Sequence, residues 1–277
     1  MNAADAPARP GGDLRARAAS GLVLAGLVLA ATAYGGWPFA LIWLAAGVAV
    51  AWEWLGVTGA APRTPLVAAL SVGLAGLTAG VMLAVPLLAA GGLGLGLVAA
   101  LALAADGRAR AWALAGLAVA AVIAAVPAWL REDPRVGMFG PLWLFGIVWV
   151  ADTAAYFTGR ALGGPKLWPA VSPKKTWSGF VGGVTAGALA GTLVLAEAGR
   201  RGLAAPPLPL AILGSALGAA LGQGGDLAES ALKRAFGVKD SGSLIPGHGG
   251  VMDRLDAFWA ACLFALVLAL AAHLARP

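Results

Sequence analysis

One cysteine, two histidines and two tyrosines in 277 residues leave little room for several kinds of chemistry. Cys262 has no partner for an intrachain disulfide, and no cysteine set with metal-ligand spacing exists. Charge is scarce as well. Asp, Glu, Lys and Arg make up 12% of the chain, against about 25% in an ordinary soluble domain. The chain has no G-x-x-x-x-G-K-[ST] phosphate loop and no H-E-x-x-H zinc pair. It has no G-x-S-x-G nucleophile turn. No internal repeat is evident, which weighs against a transporter assembled from repeats.

What fills the chain instead is apolar sequence: 60% of the residues are hydrophobic and the mean hydropathy is +0.84. Recurring runs of about 18 apolar residues or more predict a polytopic, all-α membrane bundle. Nine segments stand out, at 19–34, 36–56, 66–86, 88–105, 110–129, 140–160, 177–197, 207–224 and 253–274. Eight is the alternative count, because the third and fourth runs merge across the glycines from Gly91 to Gly96. Residues 1–18 are polar and rich in Ala, Pro and Gly, and read as a disordered arm. Residues 19–139 form an N-terminal set of spans. Residues 140–277 hold the polar clusters, with expected cytoplasmic loops at 160–176 and 225–252. Gly182, Gly183 and Gly187, and Gly214 with Gly218, suggest close helix packing through small faces.

The net charge of +6 does not point to nucleic acid, because the bases are scattered between apolar runs. With nine spans and a cytoplasmic N-terminus, fourteen of the 19 Lys and Arg residues fall on cytoplasmic segments and five outside. That bias supports this orientation.

Three clusters break the apolar pattern. In W-V-A-D-T-A-A-Y-F-T-G-R, Asp152, Tyr156 and Arg160 share one helical stripe, read as the wall of a cavity open to the cytoplasm. In V-S-P-K-K-T-W-S-G, Ser172, Lys174, Lys175 and Thr176 precede the seventh span, as a phosphate cradle or an ordinary positive loop. The segment from Asp226 to Asp256 carries five carboxylates, four cationic side chains and a histidine. Asp226, Glu229 and Lys233 have helical spacing, a Gly-rich loop follows, and Asp253 and Asp256 open the last span. Paired carboxylates beside bases suit Mg²⁺ and phosphate together.

At this point the residues carry a resemblance. S-A-L-K-R-A-F-G-V-K-D-S-G-S-L-I-P-G-H-G-G-V-M-D-R-L-D, from Ser230 to Asp256, resembles the C-terminal motif of the phosphatidate cytidylyltransferases (CDP-diacylglycerol synthases) without a departure. The D-T-x-A-Y-x-x-G-R and S-P-K-K-T-W segments resemble upstream blocks of the same family. The resemblance implies CTP and phosphatidate as substrates, CDP-diacylglycerol and pyrophosphate as products, and a role in phospholipid biosynthesis. It also implies Mg²⁺, a second cation such as K⁺, a homodimer, and a site on the cytoplasmic face of the inner membrane. It assigns the cation to Asp226 and Asp253, to which we add Glu229 and Asp256 as further candidate ligands. We take Lys233, Arg234, Lys239, His248 and Arg254 as phosphate-binding candidates, with Lys174 and Lys175 facing them. A transporter with Asp152, Asp226 and Asp253 along an ion path is the alternative from another class.

Overall fold

The computed structural model describes the backbone of residues 10–245 and 249–274, and side chains over 21–245 and 249–272. His248 and residues 1–9 of the expected arm lie outside the described residues. The first helix, α1, runs Pro10–Tyr34. Residues 10–18 are therefore helical rather than part of a disordered arm. Ala, Leu and Arg from Leu14 to Ala19 are good helix formers and continue directly into the apolar run.

The remaining helices of the bundle are α2 (Gly36–Thr58), α3 (Arg63–Met82), α4 (Pro86–Leu103), α5 (Gly107–Glu132), α6 (Phe139–Leu162), α7 (Trp177–Arg200), α8 (Leu208–Ala235) and α10 (Phe258–Leu274), with a single-turn helix α9 (Met252–Leu255) before the last. Among the described residues, the seven helices α2 to α8 are long and apolar enough to cross a membrane. The apolar parts of α1 (Gly21–Tyr34) and α10 (Phe258–Ala272) are shorter. The chain is thus a helical, multi-pass membrane protein.

Two departures from the expected segments shape the site. Helix α8 continues eleven residues past the expected end at 224, so Asp226, Glu229 and Lys233 ride on a rigid helix. The last expected span is broken: Asp253 lies on α9, Asp256 is its C-cap, and α10 starts only at Phe258. A third departure is a two-stranded hairpin, β1 (Lys166–Trp168) with β2 (Ser172–Thr176), with Lys166 opposite Thr176 and Trp168 opposite Ser172. Pro173 fits there because a strand of a two-stranded sheet has one side without ladder partners.

Helix packing relies on small residues, as expected where lipid removes the hydrophobic drive between helices. Along α7, a Cβ on Gly183 would lie 2.8 Å from the Ala151 carbonyl oxygen, and one on Gly187 would lie 2.9 Å from that of Ile147. Gly218 of α8 meets the Ile147 side chain, whose Cδ1 would lie 2.7 Å from a Cβ there. Gly214 does not belong to this set, since nothing lies within 4 Å of a Cβ there. Helices α2 and α5 contribute side chains to both buried clusters of the core. Trp43 of α2 stacks on Phe258 of α10 at 4.7 Å, and Phe258 stacks on Phe145 of α6 at 5.8 Å. Cys262 is fully buried in this core.

Candidate active site

Asp226 lies where α8 crosses the α9–α10 junction. Gly225 permits that crossing: a Cβ there would stand 2.7 Å from the Asp256 carbonyl oxygen and from the Ala260 side chain. The hairpin brings Lys175 to the same place, with its Nζ 2.5 Å from Asp226 Oδ2. Both side chains are about one-quarter exposed. Lys175 Nζ itself is enclosed and has no aligned hydrogen-bond acceptor among the described residues, so carboxylate charge, nearest that of Asp226, compensates it. An ammonium with unused donors beside a carboxylate is ready to take a second anionic partner.

Two helical turns on, Lys233 Nζ donates to Asp253 Oδ1 at 2.6 Å and to Glu229 Oε1 at 3.0 Å. Asp253 Oδ2 accepts from the Ser241 amide, the Ser241 hydroxyl and the Gly250 amide, each at 2.9 Å. Burial works against ionisation of Asp253, but Lys233 and the two amides outweigh it and hold its carboxyl below the usual range. Asp256 is pushed the other way, to about 7, first by burial and then by the charges of Asp226 and Asp152. Asp152, on α6, is therefore near enough for its charge to act on Asp256 together with that of Asp226.

The structure sorts the remaining expected residues. Arg160 donates to the Tyr156 hydroxyl at 3.0 Å on the exposed stripe of α6. Lys174, Arg234, Lys239 and Arg254 are exposed, and Ser172 is half-buried in the hairpin. Thr176 is buried and serves as the N-cap of α7, accepting from the Gly179 amide at 3.1 Å. It supports the hairpin rather than offering an open hydroxyl, because the helix start needs an acceptor at that position. Glu229 is 4% exposed, and its second carboxylate oxygen is enclosed without a partner. It borders an apolar cavity of about 170 Å³ lined by Val50, Ile123, Met252 and Trp259.

Sequence reasoning passed over Glu53 as a site residue. It reaches in from α2, is 1% exposed, and binds the signature loop. Its signal was present: an ionisable residue inside an apolar run, as with Asp152.

Among the described residues, no three His, Cys, Asp or Glu groups converge as a closed metal cage. The donor set fits Mg²⁺ in a different mode, in which carboxylates supply part of the shell and water or substrate phosphate the rest. Asp226 and Asp253 each already carry a cation, an ammonium from Lys175 or Lys233.

The profile of the Cytidylyltransferase family matches residues 15–271. The chain belongs to this family. Among its relatives, the phosphatidate cytidylyltransferase of Brucella suis is 40% identical over 273 residues, covering 96% of each chain. That of Brucella melitensis is 40% identical over 272 residues, again 96% of each. The Haemophilus influenzae enzyme is 43% identical over 133 residues, 48% of this chain and 46% of that one. As a member of this family, the chain is a nucleotidyltransferase.

Proposed function

We propose that this chain catalyses CTP + phosphatidate → CDP-diacylglycerol + pyrophosphate. The observation that carries the reading is the pairing of each central carboxylate with a lysine, Lys175 on Asp226 and Lys233 on Asp253. The full-length match to the Brucella phosphatidate cytidylyltransferases supports the choice of substrates.

An oxygen of the lipid phosphate attacks the α-phosphorus of CTP in line. A new P–O–P bond forms, the bond to the β-phosphate oxygen breaks, and pyrophosphate leaves. The attacking oxygen is already anionic near neutral pH, so the obstacle is charge rather than basicity. Mg²⁺ held by Asp226 with Asp253 and Asp256 would neutralise the triphosphate and the leaving pyrophosphate. Lys175 and Lys233 turn from their carboxylates to phosphate oxygens as the substrates arrive. Lys174, Arg234, Lys239 and Arg254, exposed on the segments that carry the site, would add positive charge that draws anionic substrates in. Asp152, Tyr156 and Arg160 line the approach along α6. His248 is assigned to a phosphate on its place in the signature alone. Glu229, enclosed and paired with Lys233, orients that lysine rather than holding the cation.

The reading extends to nine spans with a cytoplasmic N-terminus, an inner-membrane location with the site facing the cytoplasm, a homodimer, and K⁺ as a second cation. Pyrophosphate release by the purified chain tests the chemistry. Release that needs CTP, phosphatidate and Mg²⁺ together, and that ATP does not support, is expected. Release without the lipid, or none from folded protein, contradicts it.

A further inference from the structure

Glu53 sits between two tryptophans in the apolar sequence of α2, far along the chain from every polar cluster. Its carboxylate is 1% exposed. Oε1 accepts from the Val251 amide at 3.0 Å, and Oε2 accepts from the Met252 amide at 2.8 Å and the Ser241 hydroxyl at 3.1 Å. The Ser241 hydroxyl also lies 2.9 Å from Asp253 Oδ2. A hydroxyl has one proton, so it donates to one carboxylate at a time or is shared between them, while its oxygen stays in contact with both. The amides of the same turn are divided between them: Gly250 donates to Asp253, and Val251 and Met252 donate to Glu53.

The glycines of the loop record how close this approach is. A Cβ on Gly242 would stand 2.7 Å from Glu53 Oε1, and one on Gly250 would stand 2.5 Å from Oε2. The loop is therefore wrapped on the Glu53 carboxylate too tightly for any side chain at either position. The same wrapping delivers Asp253 to Lys233.

We propose that Glu53 is a positioning residue for nucleotidyl transfer: through Ser241 and the amides of Val251 and Met252, it fixes Asp253 and Lys233 in their reactive places. The proposal rests on the reaction and cation reading above. It makes the N-terminal half of the bundle part of the catalytic apparatus, because α2 supplies the anchor for a loop of the C-terminal half. A residue that only staples the fold would change how much protein folds, and not the turnover of what has folded.

The test uses the full chain in lipid nanodiscs, as wild type, Glu53→Gln and Ser241→Ala. The first readout is hydrogen exchange over 241–256 with neither Mg²⁺ nor nucleotide added. Glu53→Gln should raise exchange at Val251 and Met252 by about tenfold or more, since their shared acceptor is weakened. The second readout is steady-state kinetics. In Glu53→Gln, kcat should fall about 100-fold, the scale of a small misplacement of a reacting group. Half-activation should need more Mg²⁺, and KM for phosphatidate should stay unchanged. Ser241→Ala cuts the link while leaving Glu53 on both amides, and should lower kcat at an unchanged melting temperature. It carries the test if Glu53→Gln does not fold. Wild-type kcat and Mg²⁺ dependence in a folded Glu53→Gln chain, or wild-type kcat in Ser241→Ala, overturns the role of Glu53. A wild-type chain that forms no product overturns instead the reaction reading beneath it, while the exchange measurement remains interpretable.

Discussion

Asp226 and Asp253 differ in how firmly they are held, and that difference assigns their parts. Asp253 is bound by Lys233, two amides and a hydroxyl, and stays ionised against its burial. Asp226 has Lys175 at 2.5 Å and a long contact of 3.4 Å from Ser230, and it is the more open of the two. Asp226→Asn should therefore remove turnover, by about 10²-fold or more, with little effect on melting. Asp253→Asn should remove turnover and also loosen the loop, since an amide cannot accept from so many donors. Lys175→Met should lower kcat/KM for CTP by about 10²-fold, on the scale of losing one transition-state donor. Steady-state kinetics on detergent-purified, monodisperse variants measures all three, and wild-type rates in Asp226→Asn would sink its assignment. The sequence made Asp226, Lys233 and Asp253 legible because they sit in one dense segment. It marked Glu53 only as an ionisable residue inside an apolar run, and hid its partner Ser241, 188 residues away. Contacts at that separation leave no local pattern to read.

At the scale of elements, the seam between α6, α7 and α8 sets where the hairpin and Asp226 meet. A side chain on Gly187 would collide with both neighbours, at 2.8 Å from the Ala219 Cβ and 2.9 Å from the Ile147 oxygen. Gly187→Leu should thus separate the three helices, cost about 1–3 kcal/mol of stability, and lower activity by moving Lys175 from Asp226. Gly214→Ala, which meets nothing, should leave both unchanged. Thermal melts of the pair decide this, and equal melting temperatures would contradict the packing account. Helix existence was legible here from run length and composition, because lipid imposes a minimum span. Helix ends were not. The expected span ends at 224, with only helical spacing from Asp226 to Lys233 beyond it, yet α8 continues unbroken to Ala235, and Lys233 and its partners satisfy the charges there. The break after Asp256 left no signal in an apolar run that looks continuous from Ala257 onward.

For the whole molecule, the distribution of Lys and Arg predicts which ends of the helices meet the cytoplasm. Lys239 is exposed beside the site, and Arg201 is exposed after α7. Cys262 is buried, so the background of a thiol-labelling experiment is silent. In inside-out vesicles, a membrane-impermeant maleimide should label Lys239→Cys and spare Arg201→Cys, and right-side-out cells should give the reverse. Labelling of both from one side would refute the topology.

The measurement that tests the central claim most directly follows the phosphorus of CTP. The wild-type chain, in nanodiscs holding phosphatidate and with Mg²⁺ present, is given CTP labelled at either the α- or the γ-phosphate. The α-label should move into the lipid fraction in step with release of the γ-label as pyrophosphate, and Asp226→Asn should stop both. Release of the γ-label while the α-label stays in the aqueous fraction would mean that water, not the lipid phosphate, is the nucleophile, and would contradict the account.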